Sequence, residues 1–134
     1  MKITGTIESG LGKGVFFTSL DWVVEQFERA MGFKPYPGTV NVRVVESDLP
    51  ALKSFFAKKD FELVPDNPVF CTAWLKKVRV NGVPAAAVFP AEDVKVHGRE
   101  IIELIAGEHL KNSYGLKDGD HVTIAEFEQP FDKE

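Results

Sequence analysis

Cysteine is almost missing: Cys71 stands alone among 134 residues. That excludes a disulfide framework and a thiolate metal site. An excess of positive charge is missing too. Sixteen Lys and Arg face 20 Asp and Glu, for a net charge of −4. Without a basic cluster to offset it, binding to nucleic-acid phosphates is disfavoured. No apolar run reaches the length of a membrane-spanning helix. The first ten residues are too polar and charged for a secretory leader, so the expectation is a cytoplasmic protein with no membrane partner. Two common phosphate-binding fingerprints are also missing. Gly-x-x-x-x-Gly-Lys-Ser/Thr does not occur. Gly-x-Gly-x-x-Gly fails because Val15 and Phe17 stand where its last glycine is needed.

What the sequence does contain is Ser9-Gly10-Leu11-Gly12-Lys13-Gly14, after the strand-like run Lys2–Glu8. Glycine at alternate positions admits positive φ and close approach. Successive N–H groups in such a loop can cradle an anion, with Lys13 adding charge at its centre. A flexible hairpin or bulge loop is the structural alternative. With 44% hydrophobic and 27% charged residues, the composition is that of an ordinary globular chain, long enough for one core. We expect a single domain over residues 1–134, with 129–134 a frayed tail.

A helix is expected after the glycine loop, with Thr18-Ser19-Leu20-Asp21 as its cap. Leu20, Val23, Val24, Phe27, Ala30 and Met31 make its apolar stripe, and Gly32 ends it. Beyond the Pro-rich connection 33–38, the run 39–44 alternates strictly. Val40, Val42 and Val44 share the buried face; Thr39, Asn41 and Arg43 share the other. A hydroxyl and an amide oxygen two residues apart can reach one hard cation such as Mg²⁺, or can simply cap the strand. A short helix is expected from Ser47 and strands over 61–64 and 69–80. Lys76, Lys77 and Arg79 read as a solvated face. Asn81-Gly82 is the strongest hairpin signal, with a return strand over 83–89. The stretch 90–97 is irregular, 100–106 is a strand, 110–114 a helical turn and 121–125 a final strand. Glu103 lies between apolar neighbours, placed to accept a substrate hydrogen bond or to pair with a lysine. About six strands against three helices predict a mainly β fold: a small six-stranded barrel with short helices over its ends.

Four blocks occur in a telling order: Gly10–Phe17, Gly32-Phe33-Lys34-Pro35-Tyr36-Pro37-Gly38-Thr39-Val40-Asn41, Glu100–Ala106 and Leu116-Lys117-Asp118-Gly119-Asp120. From Gly5 to about Ile124 the chain resembles the archaeal-type CTP-dependent riboflavin kinase family, most specifically in the second block. The resemblance implies a cradle-loop β-barrel that phosphorylates riboflavin to FMN with CTP, leaving CDP. It implies that Leu11, Gly12, Lys13, Gly14, Val15 and Phe16, with Glu108, His109, Leu110 and Lys111, bind the nucleotide. Thr39 and Asn41 would hold Mg²⁺, and Gly98 and Glu103 would contact the flavin, Glu103 also being the candidate catalytic group. Monomer or weak homo-oligomer is the expected state. Three places depart from the family pattern. Val15 and Lys111 stand where arginine is common, and His97-Gly98-Arg99 has no hydroxyl. Two other classes stay open. One is a flavin or nucleotide sensor without turnover, which the departures favour. The other is a swapped-hairpin DNA-binding barrel, which the net charge opposes.

Overall fold

The alternating segments pair into one antiparallel sheet. The strands are β1 (Lys2–Glu8), β2 (Val40–Val44), β3 (Phe61–Leu63), β4 (Ala73–Val80), β5 (Val83–Pro90), β6 (Ile101–Ala106) and β7 (His121–Glu126). This computed structural model describes residues 1–8, 13–67, 72–90 and 100–127. The strand order is β3-β4-β5-β6-β2-β1-β7, and a further β4–β7 pairing closes six of the strands into a barrel. The expected six-stranded barrel is therefore present, and β3 lies outside the closure, paired with β4. Closure removes the open edges that β4 and β7 would otherwise expose.

The Asn81-Gly82 turn helps to close it. Both residues take positive φ, 50° and 88°, as a type I′ hairpin requires. Asn81 also reaches across to β7. Its N–H donates to the Thr123 carbonyl at 2.9 Å, and its Oδ1 accepts from the Thr123 N–H at 2.9 Å. One turn residue thus pins the β4–β5 hairpin to the strand that completes the barrel.

The barrel interior is apolar. Ile3, Ile7, Val42, Val44, Val78, Ala87, Ile102, Leu104 and Ile124 form its centre. Among the described residues the helices are α1 (Lys13–Ser19), α2 (Asp21–Met31), α3 (Leu52–Ala57) and α4 (Leu110–Ser113), with a 3₁₀ turn over Glu46–Ala51. Phe55 and Phe56 of α3 join the interior cluster, with Phe56 against Phe89 at 4.7 Å. Leu110 of α4 joins it as well.

Helix α2 departs from the expectation of helices over the barrel ends. Trp22, Val23, Phe27 and Met31 pack against Leu63, Ala73, Leu75, Ala86, Val88 and Ile105, on the outer wall of β3 to β6. The reason is in the strands: β5 is apolar on both faces, so its outer face needs a cover. The helix ends at Gly32 as expected, its N–H donating to the Glu28 carbonyl at 2.8 Å.

Two further expectations are corrected. Thr18 does not cap α2: Leu20 stands at that position with no side-chain cap, and Thr18 lies inside the preceding helix α1. Lys76 is not on a solvated face. It shares the inward face of β4 with Val78 and Val80 and is only 3% exposed. Its ammonium donates to the Lys58 carbonyl at 2.7 Å and to Glu126 Oε2 at 2.5 Å, and sits 4.9 Å from the centre of the Phe55 ring. The register of β4 turns it inward, and these partners offset the cost of burial. The 69–71 part of the expected long strand, the 91–97 connection and the tail from 129 lie outside the described residues.

Candidate active site

On the outside of the barrel, away from α2, the polar residues of three strands line up. Asn41 of β2 is the cross-strand partner of Glu8 in β1 and of Glu103 in β6. Opposite residues of an antiparallel pair point to the same face. The amide of Asn41 therefore lies in a row between two carboxylates. Arg43, two residues along the same face, holds Glu8 by a double hydrogen bond at 2.8 and 3.1 Å and lies 3.6 Å from Glu100. The hydrogen bond and charge of Glu8 raise the Arg43 guanidinium above its ordinary value.

Asn41 is the unusual member. Its Oδ1 is buried and has no hydrogen-bond partner among the described residues. A buried acceptor left unpaired costs about 1–3 kcal/mol. Such an oxygen is suited to a group that arrives from outside, either a cation or a donor. Thr39, half-buried, immediately precedes β2. Among the described residues no three of His, Cys, Asp and Glu converge as a metal centre. The donors near a cation here would be the neutral oxygens of Thr39 and Asn41 with two carboxylates alongside, hard oxygen ligands of the kind Mg²⁺ takes when phosphate completes the shell.

The residues before β2 are held at Gly38 and at Tyr36. Gly38 has φ +109°, a conformation that favours glycine. Its N–H donates to the Thr18 hydroxyl at 2.7 Å, and a Cβ there would lie 3.6 Å from Val15 Cγ2. Helix α1 thus packs on the residue beside Thr39. The Tyr36 N–H donates to the Ala106 carbonyl at 2.7 Å, and its ring meets His109 edge-on with centroids 5.1 Å apart. The 33–38 connection therefore joins β2 to the start of α4.

The residues expected to bind nucleotide fall in two groups. Leu11 and Gly12 lie outside the described residues. Lys13 and Gly14 open α1, so the glycine stretch runs into a helix earlier than expected. Val15 and Phe16 are 55% and 62% exposed. In the second group, His109 caps α4, its Nδ1 accepting from the Asn112 N–H at 3.0 Å. Glu108 accepts from the Tyr114 hydroxyl at 3.0 Å, a bond that, with some burial and the Glu108 charge, raises the phenol. Leu110 is 2% exposed and belongs to the barrel core, so its side chain packs inward instead of facing a nucleotide. Lys111 pairs with Asp118 at 2.7 Å. Gly98 lies outside the described residues. Glu103 is half-buried beside Asn41.

Sequence reasoning missed Glu8, Tyr36 and Thr18. Glu8 read only as the residue before the glycine stretch, because its neighbour Asn41 is set by cross-strand register. Tyr36 read as part of a stiff connection.

A family model named CTP-dep_RFKase, with the description "Domain of unknown function DUF120", matches residues 7–125. The chain is 37% identical over 124 residues to a riboflavin kinase of Methanobrevibacter smithii, covering 92% of this chain and 98% of that one. It is 38% identical over 120 residues to a riboflavin kinase of Methanocella arvoryzae, and 33% identical over 129 residues to one of Saccharolobus solfataricus. It spans 54% and 73% of those two longer proteins. The chain belongs to the archaeal-type CTP-dependent riboflavin kinase family. Two of its departures from the riboflavin kinase pattern now have surroundings. Val15, where arginine is common, rests near Gly38, and Lys111, also at a common arginine, is engaged by Asp118. A lysine keeps the charge but loses the planar fork that grips two phosphate oxygens.

Proposed function

We propose that this chain transfers the γ-phosphoryl group of CTP to the ribityl 5′-hydroxyl of riboflavin, giving FMN and CDP, with Mg²⁺. The observation that carries the site assignment is the buried Oδ1 of Asn41, without a partner among the described residues, in a row with Glu8 and Glu103. Family membership carries the reaction class.

In this reading the riboflavin oxygen forms a new bond to the γ-phosphorus. The bond from that phosphorus to the β–γ bridging oxygen breaks, and CDP leaves with that electron pair. The hydroxyl proton passes to Glu103 or to water. Such transfers depend mainly on positioning and on neutralising phosphate charge. Thr39 and Asn41 would hold Mg²⁺, which when bound offsets the charge of the donor phosphates. Lys13 and the backbone of residues 11–16 would hold the polyphosphate. His109 and Lys111 would flank the nucleotide, while Glu103 and Gly98 orient the flavin. Glu8, held by Arg43, would keep a negative field beside Asn41 that favours a cation there.

The test is to incubate the protein with riboflavin, Mg²⁺ and each of the four nucleoside triphosphates, separating flavins by chromatography. FMN should form with CTP and much less with ATP. Preference for ATP would remove the donor assignment. Nucleotide and flavin binding without FMN would replace the kinase by a sensor on the same barrel.

A further inference from the structure

Among the buried side chains, one polar group has a place in the fold that core packing does not require. Thr18 is 2% exposed. Its hydroxyl donates to the Val15 carbonyl one turn back in α1 at 3.3 Å and accepts from the Gly38 N–H at 2.7 Å. One end of this connection is the helix that begins with Lys13 and Gly14, directly after the glycine stretch. The other is the residue next to Thr39 and three before Asn41. Gly38 can aim its N–H at Thr18 from this backbone because φ +109° is open to glycine. The neighbouring side-chain contact, Val15 beside Gly38, is apolar and sets no direction.

From this geometry we infer that Thr18 is a positioning residue that couples helix α1, on the nucleotide side, to the Thr39–Asn41 metal strand. The inference rests on the kinase reading for what the two segments bind. A hydroxyl shared between α1 and Gly38 transmits a shift of α1 to the oxygens of Thr39 and Asn41, two positions apart. Nucleotide and Mg²⁺ should then each strengthen the binding of the other, and by linkage to the same degree. A valine has nearly the shape of threonine but neither donates nor accepts, so Thr18→Val cuts the connection with little change of volume. Thr18→Ser keeps the hydroxyl.

The experiment measures CTP affinity by calorimetry with and without Mg²⁺, in wild type, Thr18→Val and Thr18→Ser, beside hydrogen exchange at the Gly38 amide in protein free of ligand. In Thr18→Val, exchange at Gly38 should speed up. Affinity without Mg²⁺ and riboflavin affinity should hold, while the gain in affinity on adding Mg²⁺ should shrink about tenfold or more, within the usual range for coupled sites. Thr18→Ser should restore both the gain and the slow exchange. If Thr18→Val does not fold, Thr18→Ala, which leaves room for a water, takes its place with the same expectations. Faster exchange at Gly38 with an unchanged Mg²⁺ gain would overturn the inference and leave Thr18 a satisfied core hydroxyl. Equal loss of affinity with and without Mg²⁺ would overturn it too, making Thr18 a support of the loop alone. The control in wild type separates the two readings. If wild type makes no FMN but shows a Mg²⁺ gain that Thr18→Val removes, the kinase reading falls and the coupling stands. If wild type binds no nucleotide at all, both fall.

Discussion

One cross-strand row runs around the outside of the barrel and changes character half-way. Glu8, Asn41 and Glu103 lie in β1, β2 and β6; Val88 and Leu75 continue the same row in β5 and β4. The first three are half-buried and polar, and the last two are buried at 8% and 0% exposure under α2. The backbone is the same antiparallel ladder throughout. What differs is the cover. Where α2 lies on the wall, the strands carry apolar residues and the surface serves stability. Where α2 does not reach, they carry oxygen-bearing side chains, including an acceptor with no partner among the described residues. The barrel thus covers one half of its outer wall with a second core and leaves the other half polar and free of α2.

The covered half should be the costlier to disturb. Leu75→Ala removes a fully buried side chain between β4 and α2. It should destabilise by about 2–5 kcal/mol, the usual range for such a truncation. Urea unfolding checks this, and catalytic constants of the folded fraction should be unchanged. A loss of activity without a loss of stability would show that the two halves are not separate.

Asn41→Leu probes the open half. Deleting an acceptor that has no partner among the described residues removes a penalty, so the melting temperature should hold or rise. Turnover dependent on Mg²⁺ should fall by roughly 10²-fold or more, as when one charge-stabilising group is lost from a transition state. Riboflavin binding without nucleotide should change little. Unfolding with full activity in the remaining folded protein would make Asn41 a strand-capping residue.

A smaller effect is expected from Glu126, which lies in neither half but closes the barrel with Lys76. Burial alone would raise its carboxyl. The Lys76 hydrogen bond and charge, with the N-terminal ammonium and Lys58, outweigh burial and hold it below the ordinary value. A carboxyl depressed on folding stabilises fully above its unfolded pKa, and the contribution is lost as pH falls through the folded value. Acid should therefore destabilise the wild type across that window. Glu126→Gln should be less stable near neutrality and lose less on acidification, as melts over a pH series would show. A wild-type slope retained in the variant would assign the acid sensitivity to other carboxylates.

The smallest effect should come from Arg43→Gln. Its pair with Glu8 is exposed, and exposed ion pairs contribute little. The melting temperature should not move measurably. Release of Glu8 should instead show in the Mg²⁺ concentration needed for half-maximal turnover, while kcat at saturating Mg²⁺ stays the same. A marked loss of stability would place Arg43 with the structural half of the wall.

The sequence alone determined features with short-range causes. The strict alternation of 39–44 placed Val42 and Val44 in the core and Asn41 outside, because successive side chains of a strand point to opposite faces. The 3.6-residue stripe of α2 put Val23, Phe27 and Met31 on one buried face, and Asn81-Gly82 took the two positive φ values that its turn needs. The ordered blocks were enough to point to the family. The tertiary structure alone decided which strands became neighbours. Register set Glu8 and Glu103 beside Asn41, the β4–β7 pairing put Lys76 within reach of Glu126, and packing of α1 brought Thr18 within 2.7 Å of the Gly38 nitrogen twenty residues away. Alternation fixes which face a residue takes; its neighbour across the ladder depends on how distant segments pair, and that is settled only when the barrel closes.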